Sequence, residues 1–146
     1  FHFSSYFSVL FFFFFFCCRR EKRHMSWQAY SDQITEQGIQ HAGLYSLENG
    51  AEWAKSTNNP GTCADAQKLI QHLNTTSTER VEYGGKKYIT LRNSGDVLYG
   101  KLGGGGITVA KTTKAIIVGV YDDSCQPGQC NKVVERMQAY LIENGF

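Results

Sequence analysis

Apolar residues near the end of the chain recur with the period of an α-helix. The stripe consists of Val134, Met137 and Leu141. Their spacing of three and four residues places them on one helical face. Pro127-Gly128 is a turn signal, Asn131 is a residue type that caps helix starts, and Gly145 stands where helices end. The pattern predicts a turn at Pro127-Gly128 and an amphipathic helix over residues 131–143, docked on the buried strand that precedes it.

Two further segments have helical signals. Ser26 precedes a stretch over residues 27–39 in which Trp27, Tyr30 and Ile34 share one face. Thr62 and Asp65 have the spacing of a capping box. The apolar face that follows them consists of Ala66, Leu69, Ile70 and Leu73. The sequence therefore predicts a helix near the start of the domain and another between strands.

The rest of the chain alternates between short β-rich runs and turn signals. The runs cover residues 43–46, 51–55, 81–83, 87–92, 97–101, 107–111 and 115–121. Gly84-Gly85 between two of them predicts a hairpin with positive φ, and Gly103 to Gly106 predict a bend. Strands joined by such short turns pair antiparallel. We therefore predict an α+β fold: a central antiparallel sheet, helices at both ends that pack together, and one further helix between strands.

Residues 1–24 differ in composition from the rest. They contain six consecutive phenylalanines, and the apolar run over residues 9–18 is too short to span a bilayer. The positive charges follow this run, whereas a signal peptide carries them before it. We expect this low-complexity leader to be upstream sequence read through ahead of a start at Met25, outside the folded domain of residues 25–146. A membrane-surface anchor or targeting segment is the alternative.

Charge bears on the class of binding partner, and cysteine content bears on the redox environment of the protein. The formal charge of the chain is +2, and the leader contributes +3, so residues 25–146 carry −1. This balance does not favour nucleic-acid binding. Cys63, Cys125 and Cys130 are odd in number and lack CxxC spacing. They indicate reduced thiols in a cytoplasmic protein, with Cys125–Cys130 pairing as a minor redox alternative.

Catalytic and metal-binding signals are weak. A phosphate-binding loop places Lys after its glycines, whereas Lys101 precedes Gly103 to Gly106. His41 and His72 have no partner at metal-ligand spacing and are expected to be surface or loop residues. Asp122-Asp123 is typical of a solvated turn. No nucleophile and base stand out by spacing. The sequence indicates no enzyme, no metal site and no cofactor.

Aromatic residues are concentrated at both ends of the domain. If the terminal helices pack side by side, Trp27 and Tyr30 would meet Tyr140 and Phe146. Flat aromatic grooves recognise polyproline II ligands, which are extended before binding and present unpaired carbonyls. The alternative is that all four aromatics belong to the core.

Several blocks, in this order and spacing, resemble the profilin family over residues 25–146. These blocks are MSWQAY, GLYSLENGAEWAKS, YGGKKYITLR, GKLGGGGIT and PGQCNKVVERMQAYLIENGF. The last is most similar to the form found in plants and lower eukaryotes. The resemblance implies a cytoplasmic, cytoskeleton-associated protein that binds monomeric actin, proline-rich proteins such as formins, and phosphoinositides.

The resemblance also implies which residues bind each partner. The polyproline groove would consist of Trp27, Tyr30, Trp53, Tyr140 and Phe146. The actin face would consist of Lys87, Arg92, Lys101, Gly128, Asn131 and Lys132. The phosphoinositide contacts would be Lys101, Lys111 and Lys114. Tyr99 stands where many relatives have a basic residue, which predicts weaker actin or lipid binding at that position.

The implied activity is regulation of actin polymerisation by sequestering monomers and delivering them to barbed ends. Two alternatives remain open at this stage. One is a regulatory module that binds polyproline or lipid without affinity for actin. The other is a small phosphate-binding enzyme in which the bend at Gly103 to Gly106 holds a nucleotide.

Overall fold

The computed structural model describes residues 26–146, so the leader of residues 1–24 lies outside the described residues. The helices are α1 (Trp27–Thr35), α2 (Cys63–Thr75) and α3 (Pro127–Glu143). The strands are β1 (His41–Ser46), β2 (Glu52–Lys55), β3 (Val81–Tyr83), β4 (Lys86–Asn93), β5 (Val97–Leu102), β6 (Gly105–Lys111) and β7 (Ala115–Tyr121). Within residues 26–146, none of the helices is both long enough and apolar enough to cross a membrane.

The seven strands form one antiparallel sheet in the order β2-β1-β7-β6-β5-β4-β3. Five of the neighbouring pairs follow each other along the chain, as the short turns predict. The remaining pair, β1 with β7, joins β2 and β1 to the other five strands. It runs from His41 opposite Val120 to Ser46 opposite Ala115. The predicted α+β fold is confirmed.

Helices cover the two faces of the sheet and create two apolar cores. The alternation of side chains along β7 shows the division, because neighbouring residues of a strand point to opposite faces. Ile117 and Tyr121 belong to the core beneath α1 and α3, whereas Ile116 and Val118 belong to the core beneath α2. Helices α1 and α3 therefore lie on the same face, where their aromatic side chains can meet.

The start of α3 differs from the prediction. The helix begins at Pro127 with Gln126 as its N-cap, so Pro127-Gly128 is the first turn of the helix and Asn131 lies inside it. Proline is favoured at the first helical position, because its missing N–H has no intrahelical partner there and its φ already suits a helix. The prediction of a turn followed by an Asn131 cap was wrong for this reason.

Helix α1 also ends earlier than predicted, at Thr35 rather than near residue 39. Gly38 has φ of +91°, a left-handed conformation that ends the helical path, and Ile39 is instead buried in the core beneath α1 and α3. Ser26 occupies the N-cap position without a side-chain cap bond. The capping box of α2 is confirmed: Thr62 Oγ1 accepts from the Asp65 N–H, and Asp65 Oδ2 accepts from the Thr62 N–H.

The glycine bend is shorter than predicted. Gly103 has φ of +61° in the turn between β5 and β6, whereas Gly105 and Gly106 are already part of β6. A Cβ atom on Gly106 would lie 2.3 Å from the Gly100 carbonyl oxygen. These glycines therefore permit close approach within the sheet. The two histidines are not loop residues either, because His41 opens β1 and His72 lies in the last turn of α2.

Candidate ligand-binding surfaces

Five aromatic side chains from four segments form one cluster, called here the aromatic cluster. Its members are Trp27, Tyr30, Trp53, Tyr140 and Phe146. Trp27 and Tyr30 lie three residues apart on α1, Trp53 comes from β2, Tyr140 from α3, and Phe146 follows α3. The packing of α1 beside α3 brings these segments together, as the sequence predicted.

Trp27 is the centre of the aromatic cluster. Its ring centroid lies 4.6 Å from that of Trp53, 4.9 Å from that of Phe146 and 5.4 Å from that of Tyr30. The Phe146 ring meets it edge-on at 87°. Tyr30 connects the group to Tyr140 across a centroid distance of 6.0 Å. All four distances are within the range of favourable aromatic pairs.

The rings differ in exposure. Tyr30 is only 5% exposed and forms the floor of the aromatic cluster. The other four rings, those of Trp27, Trp53, Tyr140 and Phe146, are partly buried. Such rings are supported from below by the core and still have surface open to solvent. The alternative that all of these aromatics are core residues therefore applies to Tyr30 alone.

The position of Phe146 is fixed by the backbone and by one cation. The Thr113 N–H donates to the Phe146 carbonyl oxygen, and the Phe146 N–H donates to the Leu141 carbonyl oxygen. Lys114 Nζ lies 5.8 Å from the centre of the Phe146 ring, within the distance of a cation–π interaction. The cluster consequently has a positive charge at one side.

A second surface of interest is the outer part of the sheet beside α3. Cross-strand partners share a face, so the pairing of Ile89 with Lys101 and of Arg92 with Tyr99 places these four residues on one face. Lys87 lies on the same face, two residues before Ile89. The Tyr99 hydroxyl donates to Glu135 Oε1 of α3 at 2.9 Å, which identifies this face as the one that carries α3.

The first turns of α3 extend this surface. Gly128 and Lys132 are exposed. Asn131 is half-buried, and the Thr108 hydroxyl of β6 donates to its Oδ1 at 2.6 Å. The structure thus brings the predicted cations of β4 and β5 and the predicted residues of α3 to one side of the molecule. We call Lys87, Arg92, Lys101, Gly128, Asn131 and Lys132 the basic face.

Two exposed apolar residues of this region were missed at the sequence level. Ile89 is 53% exposed and Leu91 is 63% exposed, both on β4 between Lys87 and Arg92. Large apolar side chains on an open sheet face are typical of protein interfaces. Their spacing of two residues, with Thr90 between them, was the available signal, but alternation along a strand does not tell which face of the sheet is covered.

The three lysines proposed from the family resemblance to contact phosphoinositides do not meet at one point. Lys101 is opposite Gly106 at one end of the β5–β6 pair, whereas Lys111 is the last residue of β6. At about 3.3 Å per residue, the five steps from Gly106 to Lys111 separate these lysines by roughly 16 Å. Lys114 belongs with the aromatic cluster. The role of each lysine stays a prediction.

Outside these surfaces, the groups whose pKa departs from its ordinary value are mostly buried tyrosine hydroxyls and cysteine thiols. Burial raises the pKa of Cys130 to about 12, and burial also raises the pKa of Cys125. Both thiols and the exposed Cys63 are free. Among residues 26–146, no group of three or more His, Cys, Asp or Glu side chains is arranged to hold a metal ion.

Comparison with known proteins identifies relatives over the described domain. The family model described as Profilin matches residues 25–146. Acanthamoeba castellanii profilin IB is 36% identical, with a TM-score of 0.78, and the match covers 83% of this chain and 100% of that one. Schizosaccharomyces pombe profilin is 31% identical over the same shares, with a TM-score of 0.74.

A more distant structure shares the fold. Mouse profilin IIa, solved in complex with a double repeat from the FH1 domain of mDia1, is 20% identical to this chain. The match covers 84% of this chain and 100% of that one, with a TM-score of 0.65.

Proposed function

The chain belongs to the profilin family, and from that premise we propose that it binds actin monomers and proline-rich segments on two separate surfaces and so regulates actin polymerisation. The role is binding and delivery, without catalysis. The observation that carries the proposal is the contiguous aromatic cluster in which Trp27 contacts the rings of Tyr30, Trp53 and Phe146.

The aromatic cluster has the dimensions of a polyproline II ligand. The ring path from Tyr140 through Tyr30 and Trp27 to Trp53 consists of steps of 6.0, 5.4 and 4.6 Å. At about 3.1 Å per residue, a polyproline II segment of roughly five residues covers that distance. Proline rings stack on the aromatic faces, and the indole N–H groups of the two tryptophans supply donors for ligand carbonyls.

The kind of partner follows from this ligand class. The mouse relative was solved with a repeat from an FH1 domain, which supports proline-rich proteins such as formins as partners here. Because a polyproline II ligand is already extended, little conformational entropy is lost when it binds. Affinity then depends on how well the rings are held in place by the core beneath them.

The basic face is the proposed actin-binding surface. Lys87, Arg92 and Lys101 lie on one face of the sheet, and Lys132 extends the positive surface onto α3. Exposed cations of this kind steer an acidic partner and make the encounter sensitive to salt. We propose that Ile89 and Leu91, exposed among these cations, provide the apolar contact area at the centre of the interface.

The two surfaces are separate, and we propose that they bind their ligands at the same time. Lys132 and Tyr140 both belong to α3 and are eight residues apart, which corresponds to about 12 Å along the helix. One protein molecule could therefore hold actin on the basic face while a formin holds the aromatic cluster. Binding to the barbed-end face of the monomer would block nucleation and pointed-end addition but still allow delivery to free barbed ends.

Phosphoinositide head groups are proposed as a third class of partner, contacted by Lys101, Lys111 and Lys114. Since these lysines are spread over the surface, we propose contact with an anionic membrane surface at several points, each worth about 1 kcal/mol. We also propose that residues 25–146 are the functional domain, acting in the cytoplasm close to the cytoskeleton.

The phosphate-binding alternative has less support. The turn at Gly103 and Gly104 adjoins a cavity of about 250 Å³ whose lining includes Lys86, Asp122 and Asp123. Two carboxylates beside a single ammonium group disfavour a nucleotide phosphate. A thermal shift measured with ATP tests this alternative directly, and no shift is expected.

A poly-L-proline resin tests the two binding activities together. The resin is expected to retain the protein, and the retained protein is expected to capture actin monomers from solution. Soluble proline-rich peptide should release both. Retention of the protein without any actin would favour the regulatory module that lacks actin affinity, and failure of the resin to retain the protein would contradict the proposed groove.

A further inference from the structure

A groove between α1 and α3 continues from the aromatic cluster and has no role in the proposed stacking of proline rings. Its volume is about 300 Å³, and Tyr140 lines it as well as belonging to the aromatic cluster. Its floor is apolar and consists of Ile34, Val133 and Met137. A ligand that lies on the aromatic cluster and continues past Tyr140 would enter this groove.

The helical periods explain why the cluster and the groove are continuous. Tyr30 and Ile34 are four residues apart on α1, and Met137 and Tyr140 are three residues apart on α3, so each pair shares one helical face. From Tyr140 to Val133 the groove extends about 10 Å along α3. An extended peptide at about 3.1 Å per residue covers this length with roughly three residues.

The rim of the groove has one charge and two amides. Gln33 and Gln37 line it from α1, and Arg136 lines it from α3. The side chain of Arg136 is exposed and has no ion pair with any of residues 26–146. The lining contains no carboxylate, so the charge of the groove is positive. A guanidinium group beside two amide donors is complementary to a carboxylate.

We propose that this groove selects proline-rich ligands that carry an acidic residue, next to an apolar one, within about three residues of the proline run. The apolar side chain lies on Ile34, Val133 and Met137, and the ligand carboxylate pairs with Arg136. The inference rests on the proposed proline binding, and it adds Arg136 as a residue that determines ligand specificity. Stacking alone accepts any proline run, whereas the groove distinguishes runs by their flanks.

The test uses the full chain and three kinds of peptide, and peptide binding is measured by the change in intrinsic tryptophan fluorescence. The peptides are ten prolines alone, ten prolines flanked by Leu-Glu, and ten prolines flanked by Leu-Lys, each flank being placed at either end in separate peptides. The parent protein is expected to bind one of the Leu-Glu peptides about fivefold more tightly than its Leu-Lys counterpart at low salt. Arg136→Ala should abolish this preference, and Arg136→Glu should reverse it.

Lys68→Glu is the matched control, because it makes the same charge change at an exposed position of α2, on the opposite face of the sheet. It should keep the parent preference, and all variants should bind ten prolines alone equally. A preference that survives Arg136→Glu unchanged would overturn the inference, as would a parent protein that binds all flanked peptides equally. If the parent bound no proline peptide at all, the proposed function itself would fail, and the inference with it.

Discussion

Trp27 and Trp53 contact each other with ring centroids 4.6 Å apart and an angle of 36° between their planes. One ring comes from the first turn of α1 and the other from β2. Trp27 also contacts Tyr30 of the same helix and Phe146, which follows α3. Rings from three parts of the chain therefore pack against one another. The proposed ligand surface is therefore a product of tertiary packing. Replacing its central residue, Trp27, is the most direct test of the surface.

Replacement of Trp27 by alanine should strongly weaken the binding of poly-L-proline. Tryptophans at the centre of interfaces typically contribute about 2 kcal/mol or more, which is roughly a thirtyfold loss of affinity. Titration followed by the fluorescence of the remaining Trp53 measures the effect. Inhibition of actin polymerisation should be retained, because the basic face is untouched. Ile142→Ala, an exposed apolar truncation on α3, is the control; equal proline affinity for Trp27→Ala and this control would contradict the groove.

Replacement of Lys132 by glutamate should weaken actin sequestration. Reversing an exposed charge at the edge of an interface is expected to cost about 1 kcal/mol, which raises the actin concentration needed for half-saturation by roughly fivefold. A pyrene-actin polymerisation assay at two salt concentrations measures it, and the defect should shrink at high salt. Lys68→Glu should behave as the parent does. If both variants inhibit polymerisation equally, Lys132 does not belong to the actin face.

Replacement of Thr62 by alanine should destabilise the fold without affecting either binding surface. The Thr62 hydroxyl accepts from the Asp65 N–H at the start of α2, and loss of such a cap costs about 1 kcal/mol. Urea unfolding measures the change. Thr57→Ala, at an exposed position of the preceding turn, should change the free energy of unfolding by less than about 0.5 kcal/mol. Equal stabilities for the two variants would show that the capping box contributes nothing.

Stability should fall at acidic pH partly because of His41. Burial lowers the pKa of this imidazole, the nearby Lys86 lowers it further, and its Nδ1 is buried without a hydrogen-bond partner among the described residues. Because the folded-state pKa lies below the unfolded value of about 6.5, the unfolded chain binds more protons as the pH decreases through 6.5. The contribution of His41 is therefore unfavourable below that pH.

Urea unfolding of the parent and of His41→Gln at pH 7.5 and pH 5.5 measures this contribution. The parent should lose more stability than the variant between these two values, and the two proteins should have the same pH dependence above pH 7.5, where the imidazole is neutral in both states. An identical loss for both proteins on acidification would exclude His41 as the cause.

The elements of the fold were predictable where local chemistry decides them. Thr62 and Asp65 define a helix start by their own hydrogen bonds, and Gly84-Gly85 forms the predicted hairpin turn with φ of +62° and +80°. The start of α3 was missed because Pro127 and Gly128 fit both a turn and a first helical turn. The choice between them depends on packing: Asn131, inside the helix, pairs with Thr108 of β6.

The candidate sites required information that the sequence holds only in part. The meeting of Trp27 with Phe146 and of Tyr30 with Tyr140 followed from one assumption, that the terminal helices pack together. The contribution of Trp53 came from the family resemblance, since nothing in its local sequence indicates which face of β2 it occupies. The groove with Arg136 was missed because its lining comes from two helices whose relative rotation is set by the cores beneath them.

The pairing of β1 with β7 has a consequence for how the molecule folds. Ser46 is opposite Ala115, so the middle of the sheet forms only when a long loop containing all the other strands has closed. Such non-local pairing slows folding, and during synthesis β1 has an unpaired edge until nearly the entire domain has emerged from the ribosome. Trp27 precedes β1 and Phe146 follows α3, so their contact is also non-local, and affinity for a ligand requires that the two helices at the ends of the fold have come together.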